Sequence, residues 1–213
     1  MDKRHFIARR AARYFKSGDV VNLGIGIPSL CSDYAEPGVL FQSENGFIGV
    51  GTIAQDLAVN ERMYNAGGIP YQAALGGCAC DVAMSFGVIR SDRMAASVLG
   101  ALQVSENGDL ANWASPGRAF GMGGAMDLCV GVRQVIVAME LCAKDGRPKI
   151  VRQCSYPLTA SHCVSHIVTE YGVIDVTAQG LVLSEIAPDT TPEQIQEKIE
   201  PHLLIAEDLK LMQ

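Results

Sequence analysis

The tetrapeptide Ser-Glu-Asn-Gly occurs twice, at 43–46 and at 105–108, and each copy sets a glutamate before an Asn-Gly turn. The two copies keep different company. Glu106 lies in "LQVSENGDLAN", a polar tip between two apolar runs. Asn-Gly suits the left-handed backbone of a tight hairpin, so Glu106 reads as a solvated turn residue. Glu44 instead leaves the apolar run "VLFQS" and meets "FIGVG" at once. A carboxylate so flanked is costly to bury unless something stabilises it. Gly46, Gly49 and Gly51 let backbone N–H groups approach closely. A carboxylate paired for sugar hydrolysis would need a second acid at fixed distance, and no signal pairs Glu61, Glu106 or Glu140 with it. A metal ligand would need histidines or further acids nearby, and residues 30–60 contain no histidine. A covalent nucleophile needs only a reactive acyl group and donors for the oxyanion. The alternative is a turn glutamate that accepts backbone hydrogen bonds. Gln42 and Asn45 flank Glu44, and Asn45 could orient the carboxylate or satisfy the turn. Ser43 has no Gly-x-Ser-x-Gly context that would make it a nucleophile.

Other groups of chemical interest carry weaker signals. Cys78-x-Cys80 lacks the second pair that a zinc site requires and reads as core thiols. His162 and His166 are four apart, one face of a helix, and read as surface or capping residues. Trp113, the single tryptophan, is expected to pack beneath a loop or at a subunit contact. Thr159–Ser161 reads as a helix cap. Gly24-x-Gly26, with Ser29 where a third glycine belongs, is an incomplete dinucleotide fingerprint, and Glu44 lies near the distance of a ribose-binding acid. That alternative would make the chain a nucleotide-binding, oxidoreductase-like module.

These residues must be held by elements, and the chain is well supplied with them. At 213 residues with 48% hydrophobic composition, it can build a sizeable core and reads as a single domain over 1–213. A net charge of -6 argues against nucleic acid as a partner, and no apolar run reaches the roughly 18–20 residues that span a bilayer. The seven scattered cysteines and the lack of a signal-peptide pattern point to reduced thiols in the cytoplasm. The Arg-rich segment "DKRHFIARRAARYFKSGD" reads as a first surface helix over 3–16 rather than a transit peptide. "DVVNL" and "VLFQS" read as strands, with Pro28 opening a helical turn between them. "ASVLGALQV" reads as a strand closed by Asn107-Gly108, "QVIVAME" as a strong strand, and "HCVSHIVTEYG" as a helix capped by Ser161. "GVIDVTAQGLVLSEIA" reads as two strands about a turn at 178–180. Thr191, Pro192 and Gln194 form a capping-box signature. Strands alternating with helices imply an α/β fold with an open, mainly parallel or mixed sheet. Ligands bind such sheets beyond the carboxyl ends of the strands.

The stretch "LFQSENGFIG" resembles the signature around the active-site glutamate of family I coenzyme A transferases, in particular the β chain of the acetate or butyrate–acetoacetate, 3-oxoacid type. "VVNLGIGIPSL", "YNAGGIP", "MSFGVIR", "LANWASPG", "GMGGAMDL", "VIVAMELCAKDG", "YPLTA" and "IVTEYGVIDV" follow that family's blocks in order over nearly the whole chain. The resemblance implies ping-pong transfer through a glutamyl-CoA thioester on Glu44, with coenzyme A as a substrate and no further cofactor or metal. It implies that Gly24 and Gly26 line the cleft. Gly123 and Gly124, opening a short helix, are candidates for oxyanion donors. It also implies a second, α subunit that completes the site in a hetero-oligomer such as α2β2. Because the chain opens at Met1 with a helix, the α half is expected to be a separate polypeptide. The stretch "SLCSDYAEPGVLFQ" is shorter than the family's usual spacing and "CACDVAMSF" is richer in cysteine. Acetate, butyrate, acetoacetate and other short acids therefore stay open as substrates.

Overall fold

The computed structural model describes residues 2–53 and 63–213; Glu61 lies outside the described residues. The N-terminal helix, α1 (Lys3–Ala12), is shorter than expected. Past Ala12 the chain closes on bonds from Tyr14 and Phe15 to carbonyls three residues back, a tightened last turn, and Gly18 leaves it at φ 91°. Ile7, Ala8, Ala11 and Ala12 form the buried stripe that docks it on the sheet.

The strands that follow are β1 (Val20–Leu23), β2 (Leu40–Ser43), β3 (Phe47–Ile53) and β4 (Tyr71–Ala79), with a 3-10 turn over Pro28–Asp33 between the first two. After α2 (Val82–Ile89) come β5 (Ala96–Leu99), β6 (Gln103–Ser105), β7 (Leu110–Ala111), β8 (Ala114–Ser115) and β9 (Arg118–Ala119). After α3 (Ala125–Val130) come β10 (Val135–Ala138), β11 (Ile150–Val151), β12 (His166–Val168), β13 (Gly172–Thr177) and β14 (Gly180–Ile186). The chain ends in α4 (Pro192–Gln196) and β15 (Leu203–Leu211).

Among the described residues ten strands form one sheet in the order β15-β14-β13-β12-β10-β5-β1-β2-β3-β4. The five from β12 to β2 are parallel; antiparallel pairs begin at β13 on one side and β3 on the other. The α/β class and mixed sheet match the expectation. Alternation along the central strands builds two cores, because successive side chains point to opposite faces. Val21, Val98, Ile136 and Val168 pack under α1. Leu99, Val135, Val137 and Ile167 pack with Ile89 of α2 and Leu128 of α3 on the other face.

The two expected hairpins have different fates. The turn at 178–180 joins β13 to β14 inside the main sheet. The Asn107-Gly108 turn joins β6 to β7 in a separate three-stranded sheet, because Gly100–Leu102 break the run that read as one strand. The helix expected over 162–172 does not form. His162 has φ 50° and His166 begins β12. Three β-branched residues at 164, 167 and 168 favour the extended chain. Thr191 and Gln194 form the capping box of α4 as expected. No helix among the described residues is long and apolar enough to cross a membrane.

Candidate active site

From β1 the chain moves to β2 on one side and later returns to β5 on the other. The carboxyl ends of these three strands therefore frame a switch point, where an open α/β sheet leaves a crevice. A cavity of about 670 Å³ occupies it, lined by Leu23 and Gly24 at the end of β1, by Ser43 and Glu44 at the end of β2, and by Leu99 and Gly100 at the end of β5. Glu44 is the only charged side chain among the described lining residues.

The turn that carries Glu44 is fixed from both sides. Gly46 N–H donates to the Ser43 carbonyl at 3.0 Å, and the Gly46 carbonyl accepts from Cys80 at 2.9 Å. Gly46 has φ 118°, a conformation closed to side chains. Ser43 Oγ accepts the Ala66 N–H at 2.8 Å, and Asn45 Nδ2 donates to the Tyr64 carbonyl at 2.8 Å. The neighbours of Glu44 thus strap the 64–66 segment into place as a cavity wall, and Asn65 Oδ1 accepts the N–H groups of Gly67 and Ile69 behind it.

Across the cavity stands "GMGGAMDL". Gly123 turns at φ 55°, and Gly124 follows at φ -83° as the residue before α3. The Gly124 backbone lies against the Glu44 carboxylate, and its amide favours the charged form. A Cβ on Gly124 would fall on Glu44 Oε2 and come within 2.9 Å of Glu44 Cδ and of Phe86 Cζ. Close approach, not backbone angle, is what makes this position a glycine. Burial raises the Glu44 pKa above the ordinary carboxylate value, the Gly124 backbone amide opposes this, and Asp127 adds to the rise. The result is a half-buried, under-solvated carboxylate in close contact with the backbone that opens α3.

The other residues singled out in the sequence fall in several places. Gly24 lines the cavity, but its N–H is taken by the Val98 carbonyl at 2.8 Å, so it supplies a wall and not a donor. Gly26 makes its turn at φ 91° outside the lining, and Asn45 is exposed on Tyr64, also outside it. The helix after Gly24-x-Gly26 is a six-residue 3-10 turn, and Glu44 faces Gly124. Glu106 is not among the residues that line the cavity. Cys78 and Cys80 lie on and just after β4, outside the lining.

The histidine pair separates. His162 Nδ1 lies 3.1 Å from the Asn107 carbonyl, whereas His166 Nδ1 meets Asp175 Oδ1 at 2.7 Å and its ring stacks on Tyr14. Thr159 caps no helix. Its hydroxyl donates to Asn112 Oδ1 at 2.6 Å and ties down a cavity loop. Trp113 reaches the cavity lining while its Nε1 donates to the Leu158 carbonyl at 3.2 Å. Sequence reading also missed Asn22, Tyr71 and the 65–67 wall. "YNAGGIP" marked that wall, but only as a block. Asp81 before "VAMSF" was the legible cap of α2, and its carboxylate accepts the Met84 N–H at 2.8 Å.

The family model "Coenzyme A transferase" matches residues 5–198. The chain belongs to the coenzyme A transferase family. Among curated members it is 45% identical to the beta chain of the acetate CoA-transferase of Escherichia coli K12, over 98% of this chain and 97% of that one. It is 41% identical to the human mitochondrial succinyl-CoA:3-ketoacid coenzyme A transferase 2, over 100% of this chain and 42% of that longer one. Its fold is that of the acyl-CoA transferase YdiF from E. coli O157:H7, solved as a thioester complex with CoA. That structure gives a TM-score of 0.80 at 22% identity, and this chain is covered fully while spanning 43% of YdiF. As a CoA-transferase the chain is an enzyme component.

Proposed function

We propose that this CoA-transferase chain is a β-type subunit that moves coenzyme A between a short-chain acyl-CoA and a carboxylic or 3-oxo acid, with Glu44 as the covalent nucleophile. It works in the cytoplasm with a separate α subunit, in an assembly such as α2β2. A Glu44 carboxylate oxygen attacks the thioester carbonyl; the C–S bond breaks, leaving an acyl-glutamyl anhydride and CoA thiolate. The thiolate attacks the glutamyl carbonyl, the bond from the glutamyl carbon to the bridging anhydride oxygen breaks, and the carboxylate product departs with that oxygen. Glu44 is left as its CoA thioester. The acceptor acid reverses both steps, so no energy source, metal or further cofactor enters the balance. Each attack develops an oxyanion, and a preorganised donor is worth about 3–4 kcal/mol to such a state. In the attack on the glutamyl carbonyl, the oxyanion is Glu44's own oxygen, on the group against which the Gly124 backbone already lies. The single observation that carries the reading is this contact, inside a cavity where Glu44 is the only described charged side chain.

The test uses the chain assembled with its α partner. The complex is incubated with acetyl-CoA, reduced with borohydride or treated with hydroxylamine, and mapped by mass spectrometry. The expected result is modification confined to the Glu44 peptide, absent after Glu44→Gln. An unmodified Glu44 in a complex that still binds acyl-CoA would mark a non-catalytic homologue and overturn the reading.

A further inference from the structure

Beneath Glu44 lies a chain of buried polar side chains that no step of the transfer uses. Gln42, two residues upstream, is 3% exposed, Asn22 4% and Ser85 1%. Asn22 Nδ2 donates to Gln42 Oε1 at 2.7 Å and to the Gln42 backbone carbonyl at 3.1 Å. Gln42 Nε2 donates to Ser85 Oγ at 2.8 Å. The three residues come from β1, β2 and α2, so the chain couples two strand ends to a helix. An aliphatic side chain would fill these positions without the cost of desolvating two amides.

Two details say what the coupling does. The β2–β3 register shifts between Phe41 and Gln42, so the ladder on that side is irregular at Gln42. Asn22 holds the Gln42 carbonyl from the other side, which fixes the backbone that runs into Glu44. Next to Ser85, the Phe86 ring packs against Gly124, close enough that its Cζ would lie 2.9 Å from a Cβ there. The same helix therefore touches Gln42, two residues before Glu44, through Ser85, and Gly124 through Phe86.

We propose that Gln42, held by Asn22 and Ser85, is a positioning residue that keeps Glu44 against the Gly124 backbone during the chemical steps; this rests on the reading of Glu44 as nucleophile. Fully satisfied buried networks specify one geometry, and a loss of alignment at the reacting atoms lowers turnover more than binding.

The test compares Gln42→Met, Ser85→Ala, Ser85→Thr and the Gln42→Met/Ser85→Ala double variant in the complex with the α partner. Thermal stability and co-purification are measured beside kcat, KM for acetyl-CoA and the rate of Glu44 adduct formation. Gln42→Met should lower kcat and adduct formation about 30-fold, with KM within about threefold of the parent. Ser85→Ala should lower kcat about fivefold, Ser85→Thr should restore it, and the double variant should be no slower than Gln42→Met alone. A rise in KM with kcat unchanged would make Gln42 a substrate contact and overturn the proposal. Unchanged kinetics, additive losses, or losses explained by a smaller folded fraction would overturn it too. If the parent complex forms no Glu44 adduct, the nucleophile reading fails first and the positioning role with it.

Discussion

At the scale of the residue, the Glu44–Gly124 contact supports two predictions. Gly124 has an ordinary φ of -83°, so alanine strains no backbone there. The added Cβ meets Glu44 and Phe86 instead. Gly124→Ala should fold and assemble normally yet lose at least about 100-fold in kcat, roughly 3 kcal/mol of barrier. Glu106→Gln, at the other Ser-Glu-Asn-Gly, should leave steady-state kinetics unchanged. The second prediction concerns charge. Burial raises the Glu44 pKa in the folded protein above its unfolded value. The stability attached to the protonated form is present below the unfolded pKa and is lost as pH rises through the folded pKa. Ionised Glu44 therefore weighs against folding at neutral pH, and a neutral amide does not. Glu44→Gln should abolish transfer while raising the melting temperature slightly near pH 7, with the difference vanishing at about pH 4 and below. Differential scanning calorimetry across pH reads this directly.

At the scale of the element, the helix that sequence reading placed on the surface carries a buried ion pair. Arg10 of α1 is 8% exposed, and its Nε and Nη2 donate to the two carboxylate oxygens of Glu185 on β14 at 2.6 and 2.7 Å. Its guanidinium also lies 4.5 Å over the Tyr14 ring, which stacks on His166 of β12. The pair fastens α1 across the sheet toward its antiparallel end. Arg10→Ala strands Glu185 and uncovers Tyr14, and should cost about 2–3 kcal/mol in urea unfolding. Arg10→Lys should recover only part of this, because a single ammonium cannot reproduce the two-pronged bond. Neither should alter kcat per folded complex, since α1 adds nothing to the described cavity lining.

At the scale of the whole molecule, the cavity carries two exposed apolar side chains at its rim. Ile25 and Phe120 line it and are 76% and 53% exposed. Large apolar side chains at a cavity rim are expected where another surface closes over them. With the proposed α subunit as that surface, Ile25→Asp and Phe120→Asp should each weaken assembly about tenfold or more, read by analytical ultracentrifugation of the mixed subunits. The β chain alone should keep its fold and melting behaviour in both variants. Wild-type stability of the complex in both would argue that the rim faces solvent.

The α/β class, most central strands, the capping box at 191–194 and the place of Glu44 at a strand end could be read from the sequence. Each of these rests on local pattern: apolar periodicity, turn chemistry, a charge set between apolar runs. The sequence could not decide what the two Ser-Glu-Asn-Gly turns would face. Both take a positive φ at their glycine, 118° at Gly46 and 79° at Gly108, so their backbones are alike. One opens at the switch point against Gly124, while the other packs against 163–164, where the Gly108 carbonyl accepts two N–H groups. The 162–172 segment misled for the same reason, since a four-residue histidine spacing fits a helix until the neighbouring strand β10 recruits 166–168 into the sheet. Tertiary structure alone brought Gly124, Ser85 and Asn22 to the residues around position 44, from as much as 80 positions away along the chain. Contacts between distant segments depend on strand order and on which face each side chain takes. That information belongs to the assembled sheet and not to any window of the chain.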